Sequence, residues 1–561
     1  MKLQGSEIVV KSLLSENVDT IFGYPGGAIM PVYDSLYGYL DQINHVLTRH
    51  EQGAIHAAQG YARVSDKVGV CFATSGPGAT NLITGLADAM IDSTPLVCIT
   101  GQVAKHLLGT DAFQETDIIG ISTPVTKWNI QVTKAEDIAP AIAKAFYIAK
   151  SGRPGPVVID ITKDAQFSEA DFSYEKCTKV RSYKALPKVD TTKVDEAIQL
   201  INEAKQPYIL VGQGVTLGNA EKEFMDFVEQ SGIPVAWTLL GVQNIPTNHP
   251  QNMGMLGMHG NYAPNLLTNE CDVLIAIGMR FDDRVTGNVE KYAKQAKVIH
   301  LELDPAEIDK IIKADVAVVG DCKESLPMFT KQIKKKEYTE WYARFKELQK
   351  EEYEEVIQHD MNPSTEGMLM SEVIRVINEN KKEGAILTVD VGQHQMAASR
   401  YFQFDSNKSN VQSGGLGTMG FGLPSAIGAK LGAPKRQVIS ISGDGGFQMN
   451  IQELGTIAQE ELDIKILVLN NQFLGMVRQW QELFFERRYS FTDMKSPDLV
   501  KLADSYGIQA KSINQRGDLQ EAIKEFLNSK GSYLLEVVVE KEDNVFPMMP
   551  TGAAVDEVRL S

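Results

Sequence analysis

Along the chain, short apolar runs that close on glycine alternate with segments whose apolar residues recur at helical spacing. At the start, Ile8, Val9, Leu13 and Leu14 fall near that spacing, which predicts an amphipathic helix over the first 20 positions. VGVCFATSGPGATN then passes from strand through a turn into a helix; PLVCITG and PGPVVIDIT, near Val157, repeat the strand signal. Apolar strands separated by helices are the pattern of parallel sheets covered on both faces. The alternation breaks at residues 171–192, a polar, lysine-rich stretch with Pro187, and resumes in PYILVGQG, DVLIAIG and KVIHLELD. A charged run, KKKEYTEWYARFKELQKEEYEEV, and HDMNPSTEG read as a solvated helix face and a linker at 336–365. The last block carries AILTVDVGQH, QVISISGDGG, IKILVLNN and SYLLEVVVE. The expected fold class is α/β, with three doubly wound parallel-sheet domains in series: 1–170, 193–335 and 366–561.

Length agrees, since 561 residues exceed what one hydrophobic core usually serves. The formal net charge of −17 and the absence of a basic block exclude a nucleic-acid face. An anionic ligand therefore needs its own arginine, lysine, metal or helix N-terminus. Five scattered cysteines, Cys71, Cys98, Cys177, Cys271 and Cys322, form no C-x-x-C pair, which argues against a disulfide framework and a structural zinc site. No run approaches the ~18 apolar residues of a membrane span, the first residues lack a signal-peptide pattern, and the expected compartment is the cytosol.

The most informative stretch is ISGDGGFQMNIQELGTIAQEELDIKILVLNNQFLGM. A strand from Val438 to Ile441 enters Gly443-Asp444-Gly445-Gly446, and a helical pattern follows with Ile451, Leu454, Ile457 and Ala458 on one face. A second strand, Ile464 to Leu469, ends at Asn470-Asn471. Asp444 and Asn471 lie 27 positions apart, the length of one strand–helix–strand unit. In a parallel sheet both then sit at the carboxyl end, where ligands bind. One carboxylate and one amide oxygen suit Mg²⁺, which shares its remaining sites with phosphate and water. Gly445 and Gly446 let backbone N–H groups approach a diphosphate.

G-D-G followed by N-N at this spacing resembles the metal–diphosphate motif of thiamine diphosphate enzymes. The resemblance implies a metal shell of Asp444, Asn471 and the Phe473 carbonyl. It also asks for a glutamate in the first block, facing N1′ of the cofactor's aminopyrimidine; the candidate is Glu51 in LTRHEQGAIHAAQGYAR, at a strand-to-helix transition. A carboxyl group sharing a proton with N1′ favours the tautomer whose 4′-imino group removes the C2 proton.

Further stretches, among them IFGYPGGAIMPVYDSL, GTDAFQETDI, GRPGPVVIDITKD, GMRFDDRVTG, LGTMGFGLPSAIGA and GMVRQWQ, are similar over essentially the whole chain to acetohydroxyacid (acetolactate) synthase catalytic subunits. That family joins pyruvate to a second pyruvate or to 2-oxobutyrate, in the first common step of branched-chain amino acid biosynthesis. The resemblance implies Gly27 at the active-site border and Phe113, Gln114 and Lys163 in the substrate channel. Val391, Gly392, Gln393 and His394 are implied at the diphosphate, and Met419 beneath the cofactor. Met476 and Trp480 are implied at the acceptor pocket, with Arg280 facing the acceptor carboxylate. GMRFDDRVTG further implies FAD, held by Arg153, Gly212, Gly214, His259, Arg280, Asp304 and Asp321. A homodimer with shared active sites and a small regulatory subunit are implied as partners. The chain departs from the family at Ala104 and Lys105, on the channel rim, where proline and arginine are frequent. Pyruvate oxidase and a flavin-free catabolic acetolactate synthase are the alternatives.

Overall fold

A computed structural model describes residues 1–561. Three six-stranded sheets follow one another along the chain, and every strand pairing within them is parallel. Across the first sheet the strands are Asn44–Leu47, Thr20–Gly23, Gly69–Ala73, Leu96–Gln102, Pro156–Thr162 and Trp128–Val132. Across the third they are Asn410–Gln412, Ile386–Val389, Val438–Gly443, Ile464–Asn470, Tyr533–Val538 and Gln509–Ile513. Numbered along the chain within each sheet, both orders are 2-1-3-4-6-5.

The middle sheet differs. Its order is Asn252–Met255, Val235–Trp237, Pro207–Val211, Val273–Ile277, Lys297–Glu302 and Val316–Val319, which is 3-2-1-4-5-6. This is the order that accepts dinucleotides at the crevice where the direction of winding reverses. Here the direction of winding reverses between Pro207–Val211 and Val273–Ile277.

Strands interior to the sheets are apolar and fully buried, as in Gly69–Ala73, Leu96–Gln102 and Ile464–Asn470, because helices cover both faces. The helices obey the 3.6-residue period: Leu519–Asn528 buries Leu519, Ala522, Ile523, Phe526 and Leu527 and turns its charges outward. The first and third domains meet within the chain where helix Glu51–Ser65 packs on Gly422–Gly432. Gly60 and Gly428 make that approach possible, since a Cβ would fall 2.0 Å from the Ser425 carbonyl and 1.7 Å from the Ala57 carbonyl, respectively.

Several expectations need correction. The opening helix covers only Gly5–Ser15; Lys2–Gln4 is a strand, paired antiparallel with Glu169–Asp171, and the chain is extended again from Thr20. The helical pattern after Asp444 is broken into Asp444–Met449, a 3-10 turn at Ile451–Glu453 and Leu454–Gln459. The charged run is not wholly solvated. Helix Thr339–Glu352 buries Trp341, Phe345 and Leu348 against the middle domain, and the Trp341 indole donates to the Pro207 carbonyl at 3.0 Å. Its last residue, Glu352, forms a fully buried ion pair with Arg400 at 2.7 Å and accepts hydrogen bonds from Asn261 and the Tyr262 N–H. Four of the five thiols are buried; Cys177, in the segment after the first domain, is partly open.

Candidate functional site

The Asp444 and Asn471 pair forms as the spacing implied. Val438–Gly443 and Ile464–Asn470 are neighbouring strands, and the two residues directly follow their carboxyl ends. Asp444 is 1% exposed. Its Oδ2 accepts from the Ser496 hydroxyl at 2.7 Å, whereas its Oδ1 is buried without a partner. An unmatched buried carboxylate oxygen is costly unless a cation completes it. Burial raises the Asp444 carboxyl above the ordinary range, as expected for an anion awaiting a countercharge. The Asn471 Oδ1 faces the Phe473 N–H at 3.2 Å, and its Nδ2 donates to the Gln393 Oε1 at 3.3 Å. No cluster of three or more His, Cys, Asp or Glu residues could hold a metal anywhere in the chain. A site with one carboxylate and one amide therefore fits a hard ion that shares phosphate oxygens, as Mg²⁺ does.

Sequence reasoning missed the group that shapes the surroundings. Asp390, the residue after Ile386–Val389, is fully buried and accepts the N–H groups of Val391 at 2.7 Å, Gly420 at 3.0 Å and Gly422 at 3.1 Å. It thus ties the Val391-Gly392 turn to the turn that carries Met419. Burial pushes its carboxyl up to about 6. Gly446 is explained by the same residue, because a Cβ there would meet the Asp390 Oδ1 at 2.4 Å. A second clamp comes from the first domain. Asp92 accepts from the N–H groups of Gly414 and Gly415 at 2.8 and 2.7 Å, and Asp88 accepts from the Ser413 and Thr418 hydroxyls.

Val391, Gly392, Met419, Met476 and Trp480 line a cavity of about 1260 Å³ that continues to the middle domain. The side chains of Gln393 and His394 turn inward; both are 4% exposed and neither lines the cavity. Burial lowers His394 to about 4, which keeps the ring neutral.

At the middle-domain end, Arg153, Gly214, His259, Arg280 and Asp321 line the same cavity, whereas Gly212 and Asp304 do not. Arg280 has no closer acid than Asp282 at 3.8 Å, and His259 buries an unpartnered Nδ1 with its pKa lowered by burial to about 4. Arg153 pairs with Glu307 at 2.9 Å and Asp304 at 3.5 Å. The backbone N–H groups of Gly212 and Gly214 are already engaged. Their N–H groups donate to the Ile277 carbonyl at 3.0 Å and the Gly278 carbonyl at 2.8 Å. Both glycines are required because the two loops touch: a Cβ on Gly214 would fall 2.7 Å from the Gly278 Cα. Asp304 and Asp321 cap the one-turn helix Pro305–Glu307 and helix Cys322–Gln332, accepting from the Ala306 and Lys323 N–H groups at 3.0 and 2.9 Å. The cavity's size and its arginines fit a dinucleotide.

The first-domain residues gather at the carboxyl end of their own sheet. Gly27 follows Thr20–Gly23, Glu51 follows Asn44–Leu47, Phe113 and Gln114 follow Leu96–Gln102, and Lys163 follows Pro156–Thr162. Glu51 begins helix Glu51–Ser65, is 9% exposed and accepts from the Asn81 amide at 2.9 Å. Its other oxygen faces Gly78. None of these five residues lines the cavity. Gly27 has open space around it and Phe113 is 87% exposed. Lys105 is exposed, with its N–H donating to Asp164 beside Lys163.

Known proteins match this architecture domain by domain. Residues 3–121, 194–329 and 390–537 match the N-terminal TPP binding, central and C-terminal TPP binding domains of thiamine pyrophosphate enzymes. The chain is 43% identical to the acetolactate synthase isozyme 2 large subunit of Escherichia coli K12 over 557 residues, covering 99% of both chains. It is 44% identical to the acetolactate synthase large subunit of Corynebacterium glutamicum over 574 residues, covering 100% of this chain and 90% of the relative. Against the large subunit of Cyanidium caldarium the identity is 43% over 565 residues, with 98% and 95% covered. With full-length relatives of this kind and all three domains matched in order, the chain belongs to the thiamine pyrophosphate enzymes, in the acetolactate synthase large-subunit family.

Proposed function

We propose that the chain decarboxylates pyruvate and joins the remaining two-carbon unit to a second pyruvate or to 2-oxobutyrate. The observation that carries this reading is the Asp444 Oδ1: a buried carboxylate oxygen with no partner, at a strand end beside Asn471. Asp444, Asn471 and the Phe473 carbonyl hold Mg²⁺, and the Val391–His394 turn receives the diphosphate. Bound there, thiamine diphosphate supplies the electron sink for decarboxylation and the carbon nucleophile for condensation. Glu51 shares a proton with the aminopyrimidine nitrogen. Met419, Met476 and Trp480 present apolar walls that exclude water, and Arg280 receives the acceptor's carboxylate, meeting the charge problem of an acidic chain. Arg153, His259 and Arg280 hold FAD across the middle-domain crevice; the condensation itself is redox-neutral. A second copy of the chain brings Glu51, Gly27, Phe113, Gln114 and Lys163 over the third-domain site. This accounts for their absence from the cavity wall and for the exposure of Phe113. The relatives' designation as large subunits supports a small regulatory partner. No helix is long and apolar enough to cross a membrane.

The test is product analysis with pyruvate, thiamine diphosphate, Mg²⁺ and FAD, comparing the unaltered chain with Glu51→Gln. Acetolactate is expected from the unaltered chain, with turnover at least about 100-fold lower in the variant. Acetate with reduced flavin as the product, or full activity in Glu51→Gln, overturns the reading.

A further inference from the structure

The backbone polarity of residues 543–545 reaches the Asn471 amide through two buried glutamines. The Val545 N–H can only donate, so the Gln479 atom facing it at 3.0 Å is Oε1. The Val545 carbonyl can only accept, so the atom facing it at 3.1 Å is the Gln479 Nε2. With Gln479 so fixed, its Oε1 also accepts from the Gln393 Nε2 at 2.9 Å, and that same Nε2 donates to the Asp543 carbonyl at 2.8 Å. Gln393 must then turn its Oε1 to Asn471, which answers with Nδ2 at 3.3 Å. The Asn471 oxygen is left on the opposite side of the amide, where it accepts from the Phe473 N–H at 3.2 Å. Each orientation follows from the one before it, starting from main-chain groups whose polarity cannot flip.

Two independent observations support a dedicated arrangement. Gln479, Gln393 and Asn471 are 0%, 4% and 5% exposed, so water does not offer alternative partners. Gly475 leaves the room for the last link: a Cβ there would lie 2.1 Å from the Gln393 Oε1 and 2.6 Å from the Asn471 Nδ2. Its backbone is not left-handed, so space alone demands glycine.

We propose that Gln479 and Gln393 are positioning residues that fix which end of the Asn471 amide faces the metal, with residues 543–545 as the reference. The proposal rests on the metal-site reading above. An amide that presents its NH₂ to a cation loses a ligand and adds a repulsive contact. Gln479 does not line the cavity and acts only through Gln393.

The experiment measures Mn²⁺ binding to the full chain in saturating thiamine diphosphate, reading free Mn²⁺ by electron paramagnetic resonance. Variants are Gln479→Leu, Gln479→Glu, Gly475→Ala and, as a control, Asp444→Ala. Thermal unfolding of each cofactor-free chain is followed in parallel. Gln479→Leu is expected to weaken Mn²⁺ binding by about 10- to 100-fold, the range found for partners that orient metal ligands. Gln479→Glu keeps the oxygen that accepts from both Val545 and Gln393, so its Mn²⁺ affinity stays within about 3-fold even if the chain unfolds at lower temperature. A merely structural role gives the opposite order, because a buried carboxyl harms packing at least as much as leucine does. Gly475→Ala, which separates Gln393 from Asn471, is expected to behave like Gln479→Leu and serves if that variant does not fold. Unchanged Mn²⁺ affinity in Gln479→Leu or Gly475→Ala, with Asp444→Ala impaired, overturns this proposal alone; so does an equal loss in Gln479→Leu and Gln479→Glu. Mn²⁺ binding unaffected by Asp444→Ala, or absent from the unaltered chain, overturns the metal-site reading and this one with it.

Discussion

The third-domain recess and the middle-domain cavity end solve the binding of an anion differently. In the recess the Asp444 Oδ2 is matched by Ser496, whereas its Oδ1, like the neighbouring Ser442 Oγ and His394 Nε2, is buried without a partner and is left open for a cation to fill. At the middle-domain end the polar groups singled out by sequence are mostly spent or turned away: the Gly212 and Gly214 N–H groups serve a loop–loop contact, and Asp304 and Asp321 serve helix caps. What remains there is the Arg280 guanidinium and the unpartnered His259 Nδ1, along the cavity wall. One site is made by a few exact partners and tolerates little. The other is made by shape and charge and should degrade gradually.

The strongest way to break this contrast is Asp444→Ala. Removing the single carboxylate should weaken Mg²⁺-dependent binding of thiamine diphosphate by more than about 100-fold, beyond the losses typical of outer partners. Equilibrium dialysis of the cofactor with and without Mg²⁺ measures it, and a loss of only a few fold would make the two sites alike. Arg280→Ala should cost less. A charge-assisted hydrogen bond is worth about 1.5–3 kcal/mol, so FAD affinity should fall by about 10- to 100-fold, read from quenching of flavin fluorescence. Unchanged FAD affinity with a raised KM for the second keto acid would assign the guanidinium to substrate alone.

The smallest effect concerns Glu302, which lines the cavity and is held up to about 7 by burial, above its ordinary 4.5. The folded chain therefore keeps a proton that the unfolded chain releases between about pH 4.5 and 7. Stability from this group is present below that window and lost as pH rises through it, at about 1 kcal/mol between pH 5 and 6. Glu302→Gln should remove that slope from urea-unfolding midpoints. An unchanged slope would show that Glu302 is solvated and the cavity wetter than its geometry implies.

The contrast also explains what could be read beforehand. Asp444 and Asn471 were legible because each sits where a strand ends, and a strand–helix–strand unit has a fixed length. Glu51 was legible only once that pair was in hand, through its place between a strand and a small-residue helix. Asp390, Gln479, Gly475 and Ser496 were not, because their roles come from contacts between segments far apart in sequence; Ser496 and Asp444 are separated by 52 positions. Gly212-x-Gly214 has a structural reason that the sequence did not show, a close loop contact, which demands the same residue as a phosphate contact does. Apolar periodicity located the middle strands, but their 3-2-1-4-5-6 order is a long-range property that periodicity does not contain. The charged run misled in one place: Glu352 looks like its solvated neighbours in sequence, yet lies fully buried against Arg400.

The distribution of sulfur has a practical consequence. Four thiols are buried, whereas Cys177 lies partly open on the segment joining the first and middle domains. A maleimide dye applied under mild conditions will therefore report from one place, the segment between the first two domains, without any cysteine first being engineered away.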